Sequence, residues 1–140
     1  MSRKKIIIIL SIVLVTLAGA YIMLLVYNKP HIDVAKSSPK VSLVSKTLLD
    51  DFQNDENLAN SKYLEQIIQV TGKISHLDIA NGNGIVVLKD GNSFGSIMCH
   101  LSPEENERLV TLKEGQSITI KGICTGYLMD VILIKCILIN

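Results

Sequence analysis

The sequence has no tryptophan, and aromatic residues make up only 4% of it. Proteins that hold single-stranded nucleic acid stack the bases on aromatic side chains and place basic side chains along the backbone. In the strand-rich C-terminal part of this chain, Phe94 and Tyr127 are the aromatic residues at hand, and scattered lysines such as Lys73 and Lys121 accompany them. We assign these four residues to a ligand-binding face. Because stacking contributes about 1–3 kcal/mol per base, so few aromatics argue against tight oligonucleotide binding.

A surplus of positive charge is also missing. Three of the 14 lysines and arginines precede residue 6, which leaves 11 against 13 acidic residues in residues 28–140, a formal net charge of −2. Phosphate neutralisation supplies most non-specific affinity for nucleic acid, and a binder normally shows a basic face. The composition therefore disfavours nucleic acid as the partner.

The sequence has no charged residue between positions 6 and 26, "IIIILSIVLVTLAGAYIMLLV". As a helix this segment spans ~31 Å at ~1.5 Å per residue, close to the ~30 Å of a bilayer core. It is predicted to be a single transmembrane anchor. Arg3, Lys4 and Lys5 precede it, so the positive-inside rule keeps residues 1–5 in the cytoplasm and places everything after the anchor on the extracytoplasmic side of the cytoplasmic membrane.

A cleaved signal peptide is the competing interpretation, because residues 18–20, "AGA", resemble a cleavage site after an apolar core. Six more apolar residues follow directly. Since a cleaved signal ends in a polar region of small residues, we predict an uncleaved anchor.

Metal and catalytic signatures are missing. The three cysteines contain no C-x-x-C spacing, and Cys99 and His100 are adjacent, so their side chains point to opposite sides of a strand. No G-x-S-x-G, H-E-x-x-H or phosphate-binding glycine loop occurs. An acid or base role for His76 with Asp78 or Asp130 would need a shared pocket. We predict no metal, no cofactor and no enzyme.

Residues 27–46 mix Pro, Ser and Lys without a persistent period and are predicted to be a linker that contains His31. Residues 47–140 form the domain. A helix is predicted over 48–63, with Thr47 and Asp50 spaced as a capping box. Its apolar residues, which recur at helical spacing, are Leu48, Leu49, Phe52, Ala59 and Tyr63.

Five short strands follow this helix. Alternation around residues 67–77 predicts a long first strand, with Gly72 at a bend. The turn at 90–92, "DGN", joins a second strand at 85–89 to a third at 94–101. Ser102 and Pro103 begin a short helix. The last two strands occupy residues 117–124 and 130–139.

Five strands with a helix between the third and fourth match the OB-fold, a Greek-key barrel with a long, bent first strand. Residues 48–139 also resemble the tRNA_anti-like family of small bacterial proteins, many of which carry a membrane anchor or a lipoprotein signal. The resemblance is carried by three segments, "VTGKI" at 70–74, "LKEGQSITIKGICTG" at 112–126 and "DVILIKC" at 130–136, and by Phe52, Glu56, Ala59 and Tyr63 on the predicted helix. The fold class implied is mainly β, a five-stranded barrel with an extra N-terminal helix. The resemblance implies no settled activity. The segment between Gly126 and Val131 is short for a nucleic-acid groove.

The cysteines allow one disulfide in an oxidising compartment, with one thiol left over. The barrel order implied by the fold sets Cys99 and Cys136 on neighbouring parallel strands, whereas the family pattern favours Cys124 with Cys136. Three buried free thiols are the third interpretation. Strand five is apolar on both faces, and the 48–63 helix is expected to cover its outer side.

The sequence therefore predicts a membrane-anchored, extracytoplasmic OB-fold module without catalysis. Its expected partner is another envelope protein, a peptide or a glycan. An oligonucleotide-binding module is the first alternative, and an envelope enzyme is the second.

Overall fold

The computed structural model of the protein describes residues 1–28 and 32–139, so His31 lies outside the described residues. The chain forms two compact units, Met1–Ile32 and Asp33–Asn140.

The N-terminal unit is one helix, α1 (Arg3–Tyr27), with 25 residues and a mean hydropathy of 2.7 in its most apolar stretch. None of that stretch is buried. Its serine and threonine hydroxyl groups bond within the helix, since Ser11 Oγ donates to the Ile8 carbonyl at 2.8 Å and Thr16 Oγ1 donates to the Val13 carbonyl at 2.9 Å. By length, composition and internal hydrogen bonding, α1 can cross a membrane.

The second unit is a barrel with helices at its ends. Its elements in chain order are β1 (Val41–Val44), α2 (Ser45–Asn54), α3 (Glu56–Tyr63), β2 (Ile67–Ala80), β3 (Asn83–Leu88), β4 (Ile97–Leu101), a 3-10 turn (Pro103–Glu105), α4 (Asn106–Leu109), β5 (Ser117–Tyr127) and β6 (Val131–Leu138).

The sheet order is β1-β2-β3-β4-β6-β5, and β2 pairs again with β5, so five strands close into a barrel. β4 and β6 run parallel, and the other barrel pairs are antiparallel. The predicted fold class, an OB-fold barrel with a helical segment between its third and fourth strands, is confirmed.

Strand β2 is long enough to serve two neighbours. Its first half pairs with β5 and its second half with β3, with a register shift between Ile74 and His76. The irregularity therefore lies just after Gly72. Gly72 itself is needed for close packing, because a Cβ there would come within 2.7 Å of Ser45 Oγ at the start of α2.

The single helix predicted over 48–63 is two helices. The helix is interrupted at Asp55, whose backbone is extended, with a φ of −155° and a ψ of 94°. The Asp55 carboxylate accepts a hydrogen bond from Leu58 N at 3.0 Å and so caps α3. The capping box of Thr47 and Asp50 does not begin α2, which starts earlier, at Ser45. Ser45 is buried and its hydroxyl donates to the Asp90 carboxylate, so a tertiary contact determines where α2 begins.

Part of the predicted linker packs on the barrel. Val34 is buried, and β1 pairs in parallel with β2 through Val41 and Ile68. Lys121 Nζ on β5 donates to the carbonyls of Ala35 at 3.2 Å and Ser37 at 2.9 Å. From Asp33 onward, these residues therefore belong to the domain.

The core fills the barrel and the space below α2. Leu48, Leu49 and Phe52 of α2 are each at most 1% exposed. The helices pack on β1, β2 and β5. On the outer side of β6, Ile132 and Ile134 are half-buried, and Ile132 shares a shallow groove with Glu56 and Asn60 of α3.

Candidate binding surface

Two loops meet at one end of the barrel because the parallel strands β4 and β6 start side by side, with Ile97 opposite Val131. The loops are residues 89–96 before β4 and residues 128–130 before β6. Asp130 joins them: its Oδ1 accepts hydrogen bonds from Ser96 N at 2.7 Å and Ser96 Oγ at 2.8 Å. Val131 N donates to the Ser96 carbonyl at 2.9 Å. The two loops therefore form one hydrogen-bonded unit.

The loops approach so closely that one position tolerates only glycine. Gly95 has a φ of +78°, and a Cβ built on it would stand 2.4 Å from the Met129 carbonyl oxygen. Helix α2 holds the same loop, since Gln53 Nε2 donates to the Phe94 carbonyl. The backbone beneath the side chains of this end is therefore fixed at several points.

This end presents three large apolar side chains to solvent, which we call the apolar rim: Phe94, Leu128 and Met129. They are 88%, 86% and 78% exposed. Clusters of exposed large apolar residues mark interaction sites on soluble domains.

An aromatic stack supports the rim from below. The half-buried Tyr127 ring stacks on Phe52 with centroids 5.4 Å apart and planes 24° apart, and Phe52 contacts Tyr63 at 5.9 Å. Tyr63 donates to Asp51 Oδ2 at 2.5 Å. Burial, together with this carboxylate, raises the pKa of Tyr63 to about 12, so Tyr63 stays a protonated donor at neutral pH.

Two shallow grooves adjoin the rim and share Tyr127 and Leu128. The first has a volume of about 420 Å³ and the second about 320 Å³. The first is lined by Gln53, Phe94, Gly95, Tyr127, Leu128 and Met129, and the second by Glu56, Asn60, Leu64, Thr125, Gly126, Tyr127, Leu128 and Ile132. Within residues 32–139 as described, Glu56 is the one formally charged side chain on these walls. The surface is apolar and weakly acidic.

Two of the four residues assigned to a ligand face lie together here, Phe94 and Tyr127. Lys73 is exposed on β2 and lines neither groove. Lys121 does not lie on this surface: the residue is 7% exposed, and its ammonium group donates to two backbone carbonyls. Sequence reasoning missed Leu128 and Met129. The sequence feature that could have identified them is the presence of two large apolar residues in a segment predicted to be a turn.

The residues considered for catalysis do not share a pocket. His76 is exposed, with Nδ1 3.1 Å from Glu114 Oε1. Asp78 lines a groove of about 480 Å³ together with Leu109 and Val110, at the end of β3 opposite the rim. Asp130 joins the two rim loops. Among the described residues, no group of three or more His, Cys, Asp or Glu side chains is placed to hold a metal ion.

A closed five-stranded barrel with this strand order defines the chain as an OB-fold protein with an apolar N-terminal helix. The chain belongs to the tRNA_anti-like family, whose profile matches residues 1–138. The proposed resemblance is therefore confirmed.

Several solved structures are similar to this chain at low sequence identity. A candidate nucleic acid-binding lipoprotein from Klebsiella pneumoniae subsp. pneumoniae is 20% identical, with a TM-score of 0.59 over 80% of this chain and 100% of that chain. The S. pombe Stn1-Ten1 complex is 18% identical, with a TM-score of 0.43 over 53% of this chain and 58% of that chain. An OBody bound to hen egg-white lysozyme is 15% identical, with a TM-score of 0.44 over 55% and 84%. No curated protein matches the sequence at a significant level.

Proposed function

We propose that this protein is a non-catalytic binding module of the bacterial cell envelope. In this proposal α1 anchors it in the cytoplasmic membrane with the N-terminus inside, and the OB-fold domain outside binds an apolar segment of another envelope protein or peptide at the rim. One observation carries the proposal: three adjacent large apolar side chains stand almost fully exposed on a hydrogen-bonded loop pair.

The chemistry of the rim favours a protein or peptide segment over phosphate-bearing ligands. Burying a large apolar side chain contributes about 1.5–3 kcal/mol, so covering Phe94, Leu128 and Met129 supplies a useful binding energy. Glu56 would repel phosphates, and among the described residues no lysine or arginine lines either groove to attract them. An extended apolar segment could lie across Leu128, which separates the two grooves.

Photo-crosslinking in intact cells tests the rim. A photoreactive residue is placed at Leu128 and, as the matched control, at Val110, which is also 86% exposed but lies at the opposite end of the barrel. We expect Leu128 to give a discrete cross-linked protein band, identified by mass spectrometry, that is missing from the Val110 variant. The Phe94→Ala change should weaken that band several-fold. Equal labelling from both positions would contradict a specific rim.

The topology has its own test. Alkaline phosphatase fused after residue 140 is active only outside the cytoplasm, so we expect an active fusion from the positive-inside orientation. A green fluorescent protein fused at the same place should stay dark when exported in an unfolded form. An inactive phosphatase fusion together with a bright fluorescent fusion would contradict the proposed orientation. The binding role of the rim would still be tested independently by the cross-linking experiment.

Oligonucleotide binding is the second candidate, favoured by the exposed aromatic ring of Phe94 and by the likeness to the Klebsiella lipoprotein. It predicts salt-sensitive binding of labelled single-stranded DNA or RNA, weakened by Phe94→Ala. The full chain should be measured in lipid nanodiscs, because detergent monomers would occupy the rim. If binding is both salt-sensitive and weakened by Phe94→Ala, an oligonucleotide replaces the protein partner in our proposal. If no binding is detected at low salt, oligonucleotide binding is excluded as the function.

A further inference from the structure

We infer that two side chains of α3, Asn60 and Glu56, select the segment that binds at the rim. In this inference the Asn60 amide pairs with the backbone of an extended peptide, and Glu56 pairs with a lysine or arginine of the same peptide. The inference rests on the proposed function, because both residues line the second of the two grooves beside the rim. It names the chemistry of the partner, an apolar stretch that contains a basic residue.

Asn60 has the one buried side-chain polar atom that lacks a hydrogen-bond partner among the residues that the structure describes, its Oδ1. The free thiols of Cys99, Cys124 and Cys136 are also buried, but they line neither groove. An acceptor that is buried without a donor is unfavourable, so a ligand that supplies the donor is favoured. Because Oδ1 gives up no hydrogen bond when the amide rotates, turning it toward a ligand costs little.

An amide side chain matches the backbone of an extended peptide. A residue in a strand directs its N–H and its C=O to the same side, and an asparagine amide offers both an acceptor and donors. The opposite wall of the groove is the end of β5. Cys124 is the last β5 residue that bonds to the chain around β2, and from Thr125 to Tyr127 β5 pairs with β6 alone within the described residues. Such an edge accepts an added strand.

Glu56 determines the charge of the partner. It is exposed and lies one helical turn before Asn60, so the two side chains share one side of α3. The walls around them are largely apolar and include Leu64, Leu128 and Ile132. A lysine or arginine can pair with the carboxylate while its methylene groups cover these walls. The groove is therefore complementary to a basic residue with apolar neighbours, and it disfavours an acidic peptide.

Asn60→Leu separates a binding role from a structural one. Leucine has a similar size but no polar atom, so the melting temperature should stay equal or rise, because an unpartnered oxygen is removed. Cross-linking from Leu128 should fall roughly two- to tenfold, as expected for lost hydrogen bonds. Asn57→Leu is the matched control: Asn57 is exposed on the same helix and lines neither groove, and leucine raises its helix propensity equally. A lower melting temperature of Asn60→Leu, or an unchanged cross-link, would contradict the inference.

Selection from a phage library of random heptapeptides tests the charge. The target is the full chain in nanodiscs, after empty nanodiscs have removed lipid-binding phage. We expect peptides that combine large apolar residues with a lysine or arginine, and acidic peptides instead for Glu56→Lys. Glu104→Lys is the matched control, because Glu104 is also an exposed acid in the first turn of a helical segment but lines neither groove. It should keep the preference for basic peptides.

The outcomes distinguish this inference from the proposed function. Apolar peptides without a charge preference, or with the same preference on Glu56→Lys, would contradict the inference and leave the apolar rim as a binding surface. An absence of both selected peptides and the Leu128 cross-link would contradict the inference and the proposed function together. A cross-linked band with twice the mass of the chain would identify a second copy as the occupant and would also overturn the inference.

Discussion

Replacing Phe52 with alanine is expected to lower the free energy of unfolding of the domain by about 3–5 kcal/mol. The Phe52 side chain is 1% exposed and lies between the rings of Tyr63 and Tyr127. Its removal leaves a cavity between α2 and the barrel, and the loss includes two aromatic contacts that contribute beyond area burial. Urea unfolding followed by circular dichroism measures the change, with the slope of the transition checked for two-state behaviour.

The chain supplies its own control, because it has two phenylalanines and the other one is on the rim. Phe94 is 88% exposed, so Phe94→Ala should change stability by no more than about 0.5 kcal/mol. The two substitutions are expected to separate: Phe52→Ala affects folding, whereas Phe94→Ala affects cross-linking from the rim. A large stability loss in Phe94→Ala would show that this ring packs against the domain and is not free for a partner.

Much of the barrel is predictable because alternation reports which face of a strand is buried. In β2, Ile68, Val70 and Ile74 are at most 1% exposed, and they are the residues whose spacing indicated the strand. Turn chemistry located the loop at 90–92 as well. Such signals are local, so they survive without knowledge of the tertiary structure.

Helix boundaries were less predictable, because long-range contacts determine them. The spacing of Thr47 and Asp50 fits a capping box, yet α2 starts at Ser45, whose hydroxyl reaches Asp90 forty-five residues away. The break at Asp55 had a local signal in retrospect, since Asp is a good N-cap residue. The apolar residues from Leu48 to Tyr63 keep a helical spacing across this interruption, because α2 and α3 both bury the side that faces the barrel. The spacing therefore predicts one continuous helix.

Of the four residues predicted to share a ligand face, Phe94 and Tyr127 lie together on the candidate surface, whereas Lys73 and Lys121 do not. The alternation of apolar and polar residues along β5 places Lys121 on the side away from the core. Residues 33–37 nevertheless cover it, through contacts that span more than 80 residues of sequence. The location of Phe94 beside Leu128 follows from the parallel pairing of β4 and β6. Without a barrel order, sequence spacing alone cannot bring together two loops that lie more than thirty residues apart.

The loop pair that carries the rim is expected to fail when Gly95 becomes alanine. A Cβ at this position meets the Met129 carbonyl oxygen at 2.4 Å, and the φ of +78° adds strain for any side chain. Backbone strain of this kind costs about 1–2 kcal/mol, and forced repacking costs about 1–3 kcal/mol more. We therefore expect a loss of roughly 2–5 kcal/mol in unfolding free energy. Because the loops must separate to admit the methyl group, cross-linking from Leu128 should fall as well.

Gly91→Ala is the matched control, in the same loop. Gly91 also has a positive φ, +52°, but nothing lies within 4 Å of its Cβ position. The unfolding free energy of the Gly91→Ala variant should therefore fall only by the cost of backbone strain, about 1–2 kcal/mol. Cross-linking from Leu128 should be unchanged. The comparison isolates the steric contact between the two loops from backbone strain. The prediction is contradicted if both alanine variants lose the same stability and both keep the cross-link. In that case the close approach of Gly95 to Met129 does not position the rim, and our proposed function loses its argument that the rim is rigidly supported.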